Sequence, residues 1–391
     1  MQHSIVRGHP YRGASSALPR DYYNLLNEDP KNLRHNGRAT TRSIASAFLQ
    51  GKINCDDPCA TASLNNYLEA EGTKRTPAFI FERLFIGRLR RNHEVSENWY
   101  VSTARNGKPV WFKLTSSTDR LGNLDLEFAA SLKAHGFQVW KACFEKHSLQ
   151  LNMFGESPET LGIQEFFDKN PCGMPLETGR VRPMECTSVP HEATAYFLEQ
   201  LSRSEANDLI LSRIFINCFL ELTGGHPYDI DAICRLDDGP IFIAEFKRKY
   251  PSASGALGID GHLVTLANAL PPAHPLYHFI LDDPTGRHGK GRDPASALVS
   301  ASEEGPGFSW FGLHLAPGFH QHRFPDSMET RGSDSGQRGG RRKQVSIPRS
   351  SFIHLTGAGT RIDSSVLYSY CTSTGKAQKD VLLSKREPAP G

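Results

Sequence analysis

Apolar and polar positions follow two different periods along this chain, and the change from one to the other marks its elements. From Tyr228 to Leu236 the period is two: Tyr228, Ile230, Ala232 and Cys234 fall on one face, and Asp229, Asp231, Ile233 and Arg235 on the other. That spacing predicts a strand. Asp237-Asp238-Gly239-Pro240 is a turn by composition. Ile241 to Phe246 is a second strand, apolar on both faces as a central buried strand should be. Upstream, His191 to Leu222 has the longer helical period, broken near Ser202-Arg203-Ser204, with Ser204 as the expected cap of the second helix. Thr223-Gly224-Gly225 closes it, since glycine takes the positive φ that ends a helix. Downstream, Ile259 to Leu270 predicts a helix and Tyr277 to Leu281 a strand.

The N-terminal part reads differently. Residues 1–42 are polar and rich in Gly, Pro and Arg, which predicts an irregular arm. Helical patterns follow over Ile44–Leu49, Thr61–Glu71 and Pro77–Asn92, the last amphipathic. Asn98 to Leu114 is a hairpin around Asn106-Gly107. A helix over Leu124–His135, ended by Gly136, and a strand over Phe137–Phe144 complete an expected α+β unit.

These patterns divide the chain into an N-terminal region (1–155), a Pro/Gly/Glu-rich linker (156–190), a mixed domain (191–300) and a C-terminal extension (301–391). Within the extension, 329–349 is poor in apolar residues and rich in Gly, Ser and Arg, and is expected to be flexible. The N-terminal region carries no chemical motif. Its role is open, with contact to a second copy or a protein partner among the expectations.

Composition narrows the classes. The chain has 391 residues, 38% of them hydrophobic, and a net charge of +3 from 45 basic and 42 acidic side chains. A surface for nucleic acid must therefore be local. No apolar run reaches membrane-spanning length, and the N-terminus lacks an apolar signal core, so a cytoplasmic protein with no membrane partner is expected. The eight cysteines are scattered, and Cys55 and Cys59 lack a second pair at zinc spacing.

The candidate chemistry sits at the end of the second strand. Glu245 and Lys247, two apart, share a face. In a hairpin, Asp231 or Asp229 comes beside them. An exposed Glu–Lys pair is worth little. Carboxylates delivered by an apolar strand are instead expensive unless they are paired or bind a cation. Hard divalent ions take one or two such carboxylates together with substrate phosphate.

Asp231 followed by Glu245-Phe246-Lys247, one hairpin apart, resembles the PD-(D/E)xK nuclease superfamily, over about Glu199 to Asp283. The proline of that motif is displaced: Pro227 precedes Tyr228-Asp229. Asp229 is thus a rival first ligand, with Asp231 preferred because it lies deeper in the strand. The resemblance implies a restriction-endonuclease-like mixed sheet flanked by helices, of the α+β or α/β class. It implies metal-dependent endonucleolytic hydrolysis of phosphodiester bonds, in DNA rather than RNA. Asp231 and Glu245 become ligands of Mg²⁺ or Mn²⁺, and Lys247 the catalytic lysine. Glu205 is the candidate helical acid, with Asp208 and Glu221 behind it, and His262 an auxiliary group. Arg248, Lys249, Arg341, Arg342 and Lys343 are the expected nucleic-acid contacts. The alternative is a non-catalytic nucleic-acid-binding or assembly protein on the same scaffold.

Overall fold

The structure, a computed structural model, describes residues 82, 86, 89–90, 93–103, 108–115, 121–145, 148–155, 160–162, 202–220, 227–235, 239–249, 256–282, 309–315, 327–331, 341–355 and 370–371. The N-terminal arm, the helices expected over 44–49 and 61–71, most of the 156–190 connection and Glu221 lie outside these residues. Strands β1 (Glu94–Ser96), β2 (Trp99–Thr103) and β3 (Pro109–Thr115) precede helix α1 (Asn123–Ala134). Strands β4 (Gln138–Glu145), β5 (Ser148–Met153) and β6 (Thr160–Gly162) follow. Helix α2 (Arg203–Ile214) continues into a π-helical segment (Phe215–Leu220). Then come β7 (Tyr228–Ile230), β8 (Ala232–Arg235), β9 (Ile241–Lys249), β10 (Ala256–Asp260), α3 (Gly261–Ala269) and β11 (Leu276–Asp282). The last strands are β12 (Ser309–Leu315), β13 (Ser327–Arg331), β14 (Arg341–Pro348) and β15 (Ile353–His354). The class is mixed α+β, rich in strands.

Two six-stranded sheets carry the fold, ordered β6-β5-β4-β3-β2-β7 and β1-β8-β9-β11-β12-β15, beside a three-stranded sheet β10-β14-β13. Parallel neighbours need a crossover. The β3–β4 pair is crossed by α1, and the β9–β11 pair by β10 and α3. In the first sheet the expected hairpin is present: Trp99 pairs Lys113 and Val101 pairs Trp111. These residues and Val139 face α1, where Phe128 meets Trp99 edge-on at 5.0 Å and Trp111 at 5.6 Å. The opposite face presents Tyr100, Phe112 and Phe144 to Phe215 of the π-helical segment.

The second sheet also has two packed faces. Ile233, Ile243, Leu276 and Ile280 join α3, β10 and β14 in one cluster, while Phe242, Ala244, Phe246 and Phe279 meet Ile86, Leu89, Tyr370 and Cys371 in another. Ile86 and Leu89 belong to the amphipathic helix expected over 77–92. Cys234 is the buried thiol its apolar run predicts.

Four expectations need correction. The strand read as continuous from Tyr228 to Leu236 breaks at Asp231. Ile230 and Ile233, three residues apart, enter the same core cluster, which an unbroken period of two forbids. The cap of α2 is Ser202 rather than Ser204. Ser202 Oγ accepts from the Glu205 amide, and Glu205 reaches back to the Ser202 amide at 2.8 Å, which closes a capping box. The segment expected to be flexible near 329–349 contributes β14, because Val345 and Ile347 alternate into the core. Finally, the boundary placed at 156–190 is crossed twice, by β1 pairing β8 and β2 pairing β7.

Those two crossings are one device. The chain passes from β1 to β2 through Asn98, at φ 60°, a left-handed conformation that asparagine tolerates. Its partner passes from β7 to β8 through Asp231. Both strands therefore bend together and leave one sheet for the other. A buried polar knot holds the first bend: Lys113 Nζ donates to the Glu97 carbonyl at 2.6 Å and to Ser96 Oγ at 2.9 Å, and pairs with Asp125 at 3.1 Å. Ser96 Oγ and Trp99 Nε1 also donate to Asp125, and Asp125 accepts the Gly122 amide at the start of α1.

Removing one member of a buried ion pair strands the other. Asp125→Ala is expected to lower the unfolding free energy by about 3 kcal/mol in urea titrations. The double variant Asp125→Leu/Lys113→Met, which leaves no stranded charge, is expected to lose less than the single one. A double variant as unstable as Asp125→Ala would remove the ion-pair account.

Candidate active site at a strand bend

The bend builds the site. Beyond the last β8–β9 pair, Ala232 with Ala244, the same register sets Asp231 opposite Glu245. The ladder ends there because the Asp231 side chain takes over: its Oδ2 accepts the Phe246 amide at 2.6 Å. Lys247 Nζ lies 2.7 Å from Glu245 Oε1 and 4.0 Å from Asp231 Oδ2. The three groups named from the sequence thus meet on one side of the sheet. On the parallel neighbour, His278 is registered beside Glu245 and is wholly buried.

A cavity of about 500 Å³ opens at the bend. Asp229 and Asp231 line it from the broken strand, Glu205 and Asp208 from α2, and Glu82 from the helical segment before β1. Lys113 and Asp125 line it too, as do Arg90 and Glu97, which pair with each other. Asp229 is therefore a neighbour of Asp231 in one cavity as well as its rival. The Glu205 carboxylate is committed in part to Ser202, whose hydroxyl lies 2.9 Å away. His262 lies in α3, Arg248 and Lys249 in β9, and Arg341, Arg342 and Lys343 in β14, with their side chains outside the described residues.

The electrostatics are those of a buried acid held by neighbours. Glu245 is 2% exposed. Burial first, and then the Asp231 carboxylate, push its pKa well above the usual range, against the pull of Lys247. Burial pulls the Lys247 ammonium down, but Asp231, Glu245, Glu82 and Asp229 outweigh it and hold its pKa well above the ordinary lysine value. Lys247 therefore keeps its proton at neutral pH. Burial and then Glu245 raise the Tyr228 phenol too, so it stays neutral.

A divalent cation fits this donor set. Glu245 Oε2 is buried and makes no hydrogen bond among the described residues. An orphaned carboxylate oxygen facing a second carboxylate is costly unless a cation or a proton satisfies it. No group of three or more His, Cys, Asp or Glu suited to a metal ion occurs among the described residues. Two carboxylates, with waters and phosphate, are a sufficient set for Mg²⁺.

Sequence reasoning missed His278 and Tyr228 as neighbours of Glu245. Tyr228 was visible only as a strand residue. Placing His278 needs the parallel β9–β11 register, which no local pattern carries. No protein-family model, no curated protein and no solved structure matches the chain. No helix among the described residues is long and apolar enough to cross a membrane.

A pH dependence follows from Glu245. Its folded pKa lies above the ordinary 4.5. The stability it contributes is complete below that value and is lost as the pH rises toward the folded pKa. In EDTA, Glu245→Gln is expected to be more stable than the parent at pH 8 by about 1–2 kcal/mol. The gap should close toward pH 4.5 in thermal unfolding. Superimposable melting curves at every pH would refute the shift.

Proposed function

We propose that this chain is a divalent-metal-dependent endonuclease that hydrolyses phosphodiester bonds in DNA, on a restriction-endonuclease-like arrangement of its mixed sheet. One observation carries the reading: Asp231, Glu245 and Lys247 converge at a strand bend, and a buried oxygen of Glu245 makes no hydrogen bond among the described residues. Asp231 and Glu245 would hold Mg²⁺ or Mn²⁺, with Asp229 as the neighbouring carboxylate. When bound, the ion makes a water more acidic and neutralises charge on a phosphoryl oxygen.

The chain's own groups set the rest. Among the described residues the cavity lining is acidic, with eight Asp or Glu side chains against Arg90 and Lys113, and would repel a phosphodiester by itself. Activity is therefore tied to added cation. Lys247 keeps its proton on Nζ, so it acts as a hydrogen-bond donor to the attacking water or to a phosphoryl oxygen, and not as a general base. Asp231 orients the site through the Phe246 amide, which lies between Glu245 and Lys247 on their strand.

That same bond favours a second reading. A carboxylate already occupied by a strand amide can serve structure alone, in a non-catalytic nucleic-acid-binding or assembly protein. Cleavage of supercoiled plasmid separates the two. With Mg²⁺ or Mn²⁺ the parent protein is expected to nick or linearise DNA, and EDTA to abolish it. Lys247→Ala and Glu245→Ala should each lose at least about 100-fold. Equal cleavage by all three proteins would assign the activity to a contaminant, and no cleavage by any would favour the non-catalytic reading.

A further inference from the structure

A basic segment of the chain forms the strand pair β13–β14, which extends beyond the pairing of β14 with β10. Residues 327–348 hold five basic and two acidic side chains, a net +3 equal to that of the whole protein. Strand β14 pairs β10 only from Gln344 to Pro348. Among the described residues, its first three, Arg341, Arg342 and Lys343, pair with β13 and not with β10. There the register sets Arg341 opposite Arg331, Arg342 opposite Thr330 and Lys343 opposite Glu329. Among the described residues this end of the pair is thus a two-stranded antiparallel ribbon whose paired positions are mostly cationic.

Its root is fixed in place. Gln344 Nε2 donates to Asp260 Oδ1 at 2.8 Å, and the Gln344 side chain lies across Gly258. A Cβ at residue 258 would come within 2.3 Å of Gln344 Oε1, so a larger residue there would displace the Gln344 amide. Below the root, Leu257, Ile259, Val345 and Ile347 pack into the cluster formed by Ile233, Ile243 and α3. Ile243 shares its strand face with Glu245 and Lys247. The ribbon therefore rises from the layer that covers the candidate site's side of the central sheet.

We propose that this ribbon is a duplex-recognition element, which lies in the major groove of double-stranded DNA. A two-stranded β-ribbon is one of the two shapes that the major groove admits. Cationic positions along it neutralise phosphates and release counterions. The acidic cavity at the bend lacks that capacity, so backbone binding and cation binding are divided between two parts of the molecule. The proposal deepens the endonuclease reading by naming duplex DNA as the substrate form, and it is tested without cleavage.

The full chain carrying Lys247→Ala, in EDTA, is titrated against a short fluorescent DNA duplex, against one strand of it, and against phosphatidylserine vesicles. Tighter binding to the duplex is expected. Arg331→Gln/Arg341→Gln/Arg342→Gln should weaken duplex binding at least tenfold. It should also reduce the slope of log affinity against log salt by about 2 to 3, near 0.9 for each lost phosphate contact. Glu329→Gln should tighten binding. Single variants of Arg341 and Arg342 replace the triple one if it melts early. Unchanged affinity and slope in the Arg variants, or preference for the single strand or the vesicles, overturns the proposal. Duplex binding that depends on the ribbon, in a parent protein that cleaves nothing, would retain the ribbon and discard the nuclease.

Discussion

The bond from the Phe246 amide to the Asp231 carboxylate is the constraint on which the site depends. A backbone donor of a buried strand that runs past the end of its neighbour must be satisfied. Here a side chain from the neighbouring strand satisfies it, in place of a carbonyl. The substitution lets the chain bend at Asp231 without orphaning an amide. It also fixes an acid directly across from Glu245. Hydrogen bonds to charged groups contribute about 1.5–3 kcal/mol, enough to offset one irregular backbone position. The matching bend at Asn98 is held by the Lys113–Asp125 knot, so each of the two paired strands has its own polar clamp.

Placing charge at that bend has a cost, and its distribution is informative. Carboxylates from Glu82, Glu205, Asp208, Asp229 and Asp231 line one cavity, and Glu245 is buried next to Asp231. Lys247 neutralises part of this charge. In apolar surroundings the remainder favours a proton on Glu245 or a cation nearby. Structural ion pairs are usually balanced, whereas this arrangement has a surplus of one sign. The proposed cation site would account for the surplus.

Much of this could be read from residues, within limits set by range. Glu245 and Lys247 were legible as a same-face pair because period two is a local property of a strand. The helix over α1 and the Asn106-Gly107 hairpin were legible for the same reason. The break at Asp231 was not, because alternation continues in the sequence through the bend and only the core contacts of Ile230 and Ile233 reveal the shift. His278 was hidden by a parallel pairing across a crossover. Within 329–349, composition hid the strand over 341–348: two core positions, Val345 and Ile347, suffice to seat it. Ser202 took the cap from Ser204 because only Ser202 has a glutamate three residues on.

The order of the central sheet bears on how the molecule is made. Its edges are residues 94–96 and 353–354, and its middle strands lie between them in the chain. Among the described residues, β1 finds its partner only when β8 has left the ribosome, and β12 finds one on its far side only when β15 follows. Pairings of such long range fold slowly, because loop closure must precede any contact that rewards it. The acidic bend is therefore assembled late, after most of the chain has been translated. A polypeptide halted before β8 would hold the aromatic hairpin but not the pair of strands that brings Asp231 to Glu245.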